Sequence, residues 1–410
     1  MKTKLFFSIF SFLIVSASFA QTTTDLSLGA GYANQVYYKL SSETPTSFDK
    51  NIWDIAFLRI SNHNQAIRVN DGIGIEVFEA ANSASEWANI DIANEANWTK
   101  LYNSVTDRAN GAFMQGSATY GWGEYNSTTH RVTGTIIFVL KYADGSYKKF
   151  ICEEYYGGYT IKYASWNGTS WEADESAVIL NTSNPTNNYN YYSLQNNQEV
   201  VAEPASSDWD FVFTKYFTEL SGGTMYNVTG VLQSDAITVA KSTGDDTSNL
   251  TYSTNINTIG YDWKEYTGAW TVDSDKKFYL KYSDDTNTIY KLHFTQFGGS
   301  ATGDVEFEFE NVTQALNIEN VGEEVSFGVY PNPIGVDRKM TIVFDNNKTM
   351  ENHSDIEIYN IAGQRVLKTQ VTNSQGFYNK EIDLSLLKSG IYLLQFTSGK
   401  YVKTKKLVLK

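Results

Sequence analysis

The chain has 410 residues but only one cysteine, five prolines and four histidines. A lone Cys152 excludes an intramolecular disulfide, so each domain has to be held by its own apolar core even in an oxidising compartment. Four histidines leave little material for a Ser-His triad, and the sequence carries no His-Glu-x-x-His, no Gly-x-Ser-x-Gly and no phosphate-binding glycine loop, so a catalytic role is not expected. Charge is sparse as well. At 19% charged residues and a formal net charge of -14, the chain repels phosphate backbones, which argues against nucleic acid or anionic lipid as a partner. Beyond the N-terminus no run reaches the ~18 apolar residues that a membrane-spanning helix requires.

What the chain does have is aromatic bulk: 28 Tyr, 23 Phe and 9 Trp, within 41% hydrophobic residues. That composition favours strands and supplies ample core. Residues 1–20 read as a secretion signal, with Lys2 and Lys4, an apolar run over 5–15, and Ser18-Phe19-Ala20 ahead of Gln21. No cysteine stands at that cleavage point to accept a lipid. The next stretch, Trp53-Asp54-Ile55-Ala56-Phe57, returns as Trp209-Asp210-Phe211-Val212-Phe213. Trp122-Gly123-Glu124-Tyr125 is echoed by Trp263-Lys264-Glu265-Tyr266, and Leu140-Lys141-Tyr142 by Leu280-Lys281-Tyr282. One module is therefore present twice, the second copy shortened in its middle.

Short alternating apolar runs separated by Gly, Asn, Asp and Ser predict an all-β fold: two tandem β domains over 21–175 and 176–317, a linker over 318–327, and a small Ig-like β-sandwich over 328–410. Asp144-Gly145 between two apolar runs predicts a hairpin. Residues 80–102 are spaced too irregularly for one long helix and read as loop with one or two short helical turns. Val305, Phe307 and Phe309 alternate with Glu306 and Glu308, which predicts a terminal strand of the second copy.

The C-terminal stretch resembles the type A sorting domain of the type IX secretion system of Bacteroidetes. The resemblance is carried by Tyr330-Pro331-Asn332-Pro333, by 358–364 with Gly363, by 387–394 with Gly390 and Tyr392, and by the basic terminus 403–410. It implies that the type IX machinery is a partner and that the chain is exported through the periplasm to the cell surface or beyond. The repeated module resembles the HmuY family of haem-binding proteins, through 53–57, Arg68-Val69-Asn70, 122–125 with Thr129-His130, and 138–150. That resemblance implies a haemophore-like, non-enzymatic role with haem as ligand.

A haemophore needs axial ligands, usually His or Met, beside a flat apolar slot. Copy one offers His63, His130 and Met114; a solvated loop histidine is the competing reading for both imidazoles. At the same offsets copy two has Glu219 for His63 and Trp270 for His130, which places any haem site in copy one. A structural, adhesive or glycan-binding surface protein is the alternative, with Tyr155-Tyr156, Trp166 and Trp171, or Tyr189, Tyr191 and Tyr192, as a stacking platform. Core packing competes with that platform. Acidic pairs such as Asp245-Asp246 and Asp284-Asp285 read as solvated turns, and Cys152 as a buried inert thiol.

Overall fold

The two strands that carry the repeated Trp-Asp sequence set the architecture. The computed structural model describes residues 21–59, 65–247, 250–285, 288–313, 325–346, 353–372, 376–398 and 401–410; the expected signal segment, His63 and residues 318–324 of the expected linker lie outside them. Strands Ile55–Leu58 and Phe211–Glu219 each follow at once on their Trp-Asp pair. Ile55 and Phe57 enter one apolar cluster and Ala56 and Leu58 another, as the period-two alternation of a strand requires. The chain is all-β: helical structure is confined to short segments, including the two turns Ala84–Asn89 and Ile92–Asn97 inside the loop read as helix-compatible. The Asp144-Gly145 hairpin forms, with the Ser146 amide donating to Asp144 Oδ1 at 2.9 Å and Gly145 at φ 84°.

Each Trp-Asp strand pairs with a Tyr-Tyr strand from the other repeat. Ile55–Leu58 lies antiparallel to Tyr189–Ser193, with Ile55 opposite Tyr192 and Ala56 opposite Tyr191. Phe211–Glu219 lies antiparallel to Asn34–Lys39, with Phe211 opposite Tyr38 and Val212 opposite Tyr37. The outermost strands are exchanged in the same sense. Glu175–Leu180 closes the edge of the first large sheet against Gly158–Ser165, while Thr22–Ser27 closes the second against Asp304–Asn311.

Two lobes result. The first is contiguous and stacks the four-stranded sheet containing Ile55–Leu58 on an eight-stranded sheet. Its core joins Ile55, Phe57, Phe113, Trp122, Phe138, Phe150, Tyr163 and Tyr192. The second stacks the four-stranded sheet containing Phe211–Glu219 on a five-stranded sheet, and the N-terminal segment supplies Leu26, Leu28, Val36, Tyr38 and Leu40 to its core. The sheets thus do not follow a division at 175/176. Residues 22–49 belong with the second lobe and 175–200 with the first, because each Trp-Asp strand leaves one edge open that only the other repeat's hairpin fills.

Beyond Thr313 the chain forms a second compact unit. Its three-stranded sheet, Val325–Tyr330, Lys339–Asn346 and Gly376–Asp383, accompanies a four-stranded one made by His353–Asn360, Arg365–Thr372, Gly390–Ser398 and Tyr401–Leu409. The first of these strands begins at Val325, inside the span expected to be linker; Phe327 and Val329 pack against the core, so the alternation of this strand starts before the Tyr-Pro-Asn-Pro motif. In that motif Asn332 Nδ2 donates to the Lys406 carbonyl at 2.7 Å, and the Val408 amide donates to Asn332 Oδ1 at 3.0 Å. Gly363, at φ 77°, closes the turn after Asn360, and the Tyr392 hydroxyl donates to the Lys388 carbonyl at 2.9 Å. Gly390 starts its strand opposite Leu409. The motif residues Asn332, Gly363, Gly390 and Tyr392 therefore hold turns and strand ends of the sandwich.

Candidate functional site

The hairpin that follows Trp122, and its counterpart after Trp263, differ between the two lobes. In the first lobe it is made by Gly123–Asn126 and Arg131–Gly134 and is bonded onto the large sheet, Val132 lying opposite Tyr155 and Thr133 opposite Glu154. Gly134 has no room for a side chain, since a Cβ there would meet the Cys152 carbonyl oxygen. In the second lobe the matching strands, Lys264–Tyr266 and Trp270–Val272, form a separate two-stranded ribbon.

Register corrects the residue correspondence expected from sequence offsets. Glu124 pairs with Thr133 and Tyr125 with Val132; Glu265 pairs with Thr271 and Tyr266 with Trp270. Trp270 therefore occupies the place of Val132, and His130 sits in a longer turn that the second copy lacks. The shorter turn of the second copy changes the offset across the hairpin, so a single offset does not carry from one strand of it to the other.

Where the first lobe has Val132 the second has Trp270, and the surroundings of the two positions differ. In the second lobe Trp270 packs edge-on against Phe297 with ring centroids 4.9 Å apart, over Gly299. Phe297 is the counterpart of Tyr155, because both lie just past the same irregularity in the sheet, between Cys152 and Glu154 in one lobe and between Phe294 and Gln296 in the other. Lys264, where the first lobe has Gly123, adds its stem to this packing. Its ammonium lies 4.3 Å from the Trp263 ring and 4.7 Å from that of Phe297, and burial pushes its pKa down to about 7. In the first lobe the same region is an open pocket of about 530 Å3 lined by Gln65, Tyr120, Tyr125, His130, Val132, Tyr155, Tyr156 and Gly157. That volume lies in the range of small-molecule sites.

His130 reaches this pocket from a left-handed backbone position, φ 56°, at the end of the hairpin turn. Its Nδ1 lies 2.9 Å from the Tyr125 hydroxyl, and the Tyr120 and Tyr125 rings are 6.2 Å apart. Tyr156 is covered by the Arg131 guanidinium at 4.8 Å, which also pairs with Glu154 at 2.6 Å. Met114 is placed elsewhere: it is half-buried, packs against two apolar clusters and does not line the pocket. Of the two expected ligands among the described residues, His130 lines the pocket and Met114 does not; His63 lies outside the described residues. Sequence reasoning missed Tyr120 and Tyr125 as lining residues; Tyr125 was visible as part of the repeated Trp-x-Glu-Tyr but was read as framework.

The tyrosines proposed as a second stacking platform are not available for one. Tyr189, Tyr191 and Tyr192 are 2%, 5% and 3% exposed. Tyr189 and Tyr191 turn to the space between the lobes, where the two four-stranded sheets meet back to back around a cavity of about 80 Å3. There Arg108 stacks on Trp209 at 5.0 Å and donates to the Gln233 carbonyl at 2.6 Å, and Arg68 donates to the backbone carbonyls of Ser104, Asp107 and Arg108. Cys152 is buried as expected, and burial pushes its thiol well up.

Glu203 makes this seam pH-sensitive. Its carboxylate accepts from the Tyr189 amide at 2.7 Å and the Tyr191 hydroxyl at 3.1 Å, and burial raises its pKa to about 7. An acid whose pKa is higher folded than unfolded binds more protons in the native state, so its contribution is full below pH ~4.5, declines as pH rises, and is lost above about 7. Glu203→Gln is expected to be more stable than the parent at pH 8 and to lose that advantage at pH 5, as read by urea unfolding at the two pH values; an equal shift at both would remove Glu203 as the titrating group.

The C-terminal unit defines this as an export-addressed β protein. Residues 328–410 match the family described as Secretion system C-terminal sorting domain, which assigns the type IX secretion machinery as its partner and the cell surface or exterior as its destination. Among the described residues no helix is long and apolar enough to cross a membrane. No curated protein matches the chain. Among solved structures it is similar to apo PinO from Porphyromonas gingivitis, at 8% identity over 71% of this chain and 97% of that one, with a TM-score of 0.23. So low a score carries no argument about ligand or fold.

Proposed function

We propose that the protein is an exported, non-catalytic binding protein whose first lobe takes a flat ring ligand of the haem class, while the second lobe is a scaffold partner. The observation that carries this reading is the difference between the lobes. One hairpin position holds Val132 beside an open, tyrosine-lined pocket with an imidazole in it, and its counterpart holds Trp270 packed edge-on against Phe297, with no histidine in the turn. Aromatic walls suit a planar apolar ligand, and a phenol and an imidazole are suitable donors to iron. The pocket residues fit haem in this sense: Tyr120 and Tyr156 would flank the ring, and the Tyr125–His130 pair would face the metal. Bound haem would supply a Lewis-acidic iron, and the chain's part is to hold it and limit its exposure.

Titration of the full chain with ferric haem tests this reading by absorbance. One equivalent is expected to bind, and the Tyr120→Ala/Tyr156→Ala double variant is expected to weaken binding by about tenfold or more, from two lost ring contacts of roughly 0.5–1.5 kcal/mol each. Both side chains are exposed, so the fold should be retained. Absence of any spectral change, or binding indifferent to the double substitution, would favour the structural or adhesive role instead.

A further inference from the structure

We infer that the export machinery grips the C-terminal unit by an apolar tip made of Val336, Ile361 and Leu386, gathered at one end of the sandwich. These side chains are 94%, 88% and 98% exposed, and the next most exposed large apolar residue among those described, Tyr156, stands at 63%. Single half-exposed apolar residues are ordinary on a folded surface. Three aliphatic side chains left almost wholly in water on three neighbouring loops mark a surface that another molecule covers.

Strand register brings the loops together. Tyr330 lies opposite Thr341 and Lys339 opposite Asp383, so loops 331–338 and 384–389 leave the three-stranded sheet at the same end. Asn360 lies opposite Tyr392 and Gly390 opposite Leu409, which sets the turn 361–364 and the end of the last strand beside the start of Gly390–Ser398, directly after loop 384–389. The Leu384 amide donates to the Arg338 carbonyl at 2.8 Å, Arg338 donates to Ser389 Oγ at 2.8 Å, and the Ile334 amide donates to the Val408 carbonyl at 2.7 Å. In two of the loops, anchor and tip alternate: Ile334 and Leu384 are fully buried, and Val336 and Leu386, two positions on, are outside. In the third, Asn360 Oδ1 accepts from the Ala362 and Gln364 amides at 3.0 Å and so fixes the turn that carries Ile361. The motif groups of Asn332, Gly363 and Tyr392 are taken up by internal bonds and turns, so their part in recognition is to shape the loops, and what the loops present outward is aliphatic. Because this unit matches a sorting family, a protein of the secretion machinery has to bind it. The exposed charges around the tip, Asp337, Asp383, Lys388 and Lys410, are of both signs. They form a polar rim, and the partner surface that fits is an apolar groove rather than a charged one.

The test expresses the full chain in a host that carries the type IX machinery and measures, by cell fractionation, the share that reaches the surface or the medium. Val336→Ser/Ile361→Ser/Leu386→Ser is expected to lower that share about tenfold or more, the scale of losing central contact side chains, and to leave the protein in the periplasm. Val178→Ser/Leu180→Ser, which removes two exposed apolar side chains from the first lobe, should export like the parent. Val336→Ile/Ile361→Val/Leu386→Met keeps the tip apolar and should export like the parent too. Purified, the serine variant should melt with the parent; a lower melting point would show that the tip packs within the fold and would overturn the proposal. Undiminished export of the serine variant would overturn it as well, and so would an equal loss in the conservative set, which would make loop shape responsible. Dimerisation of the parent that the serine set abolishes without loss of export would assign the tip to a second copy of this chain instead. Retention of the parent itself in the periplasm would overturn the export address and the proposal together.

Discussion

Deletion of residues 22–49 is expected to unfold the second lobe, nearly two hundred positions away in sequence, and to leave the first lobe folded. The segment supplies Thr22–Ser27 to the edge of the five-stranded sheet and Asn34–Lys39 to the flank of Phe211–Glu219. With it go Leu26, Leu28, Val36, Tyr38 and Leu40, each at most 7% exposed. Burying one such side chain stabilises by about 1.5–3 kcal/mol, so the five together approach the order of 10 kcal/mol that separates a typical folded domain from its unfolded chain. Hydrogen exchange read by mass spectrometry checks this. Amides of Phe211–Glu219 and Lys276–Tyr282 should exchange at the rate of an unfolded chain, while those of Ile137–Lys141 and Tyr147–Tyr155 remain protected. If the module boundary at 175/176 were the physical one, the loss of protection would instead fall on the first lobe. Export would be affected too, because an unfolded lobe carries the sorting domain at its C-terminal end.

The repeat, the all-β class, the Asp144-Gly145 hairpin and the sorting domain were legible in sequence because each is written locally, in alternation, turn residues and short motifs. Which hairpin joins which Trp-Asp strand is not written locally. Tyr37-Tyr38 and Tyr191-Tyr192 are themselves a repeated pair, and either could complete either sheet as far as periodicity goes; the pairing depends on contacts across more than a hundred residues. The pocket of the first lobe was half legible. His130 was identified from its residue type, but its relation to Tyr125 depends on a turn length, and the position of Trp270 depends on register, which a one-residue slip inverts. Met114 was chosen for its sulfur, and the same apolar character that makes it a soft ligand makes it core filling here. The Trp-Asp sequence was read as framework without a reason for the aspartate, which the structure supplies.

Asp210 fastens the exchanged hairpin, and Asp210→Ala is expected to cost about 3 kcal/mol or more, because it breaks a half-buried ion pair from its buried side together with two further hydrogen bonds. Its carboxylate is fully buried and accepts from Lys39 Nζ, the Leu40 amide and the Tyr282 hydroxyl, each at 2.8 Å, so the substitution removes three hydrogen bonds at once. Burial first, and then the neighbouring Asp210 carboxylate, keep Tyr282 a proton donor by pushing its pKa far up. Asp54 is the same device with weaker partners: it accepts from the Gln195 amide and side chain at 3.2 Å and from Ser193 at 3.4 Å, and a serine stands where the other lobe has Lys39. Without a charged partner to lose, Asp54→Ala should cost only about 1–3 kcal/mol. Thermal unfolding of the full chain should therefore show the Asp210 variant falling by roughly 10 °C and the Asp54 variant by markedly less. Combining Asp210→Ala with Lys39→Met should recover part of the loss, because the second change removes the ammonium that has lost its carboxylate; strict additivity of the two would mean that the pair does not act as a unit. Both aspartates sit where a strand of one repeat receives the hairpin of the other, so the asymmetry between them sets how firmly each lobe is closed. The hairpin over 34–49 is tied by a lysine, and the one over 189–200 by the uncharged donors Ser193 and Gln195.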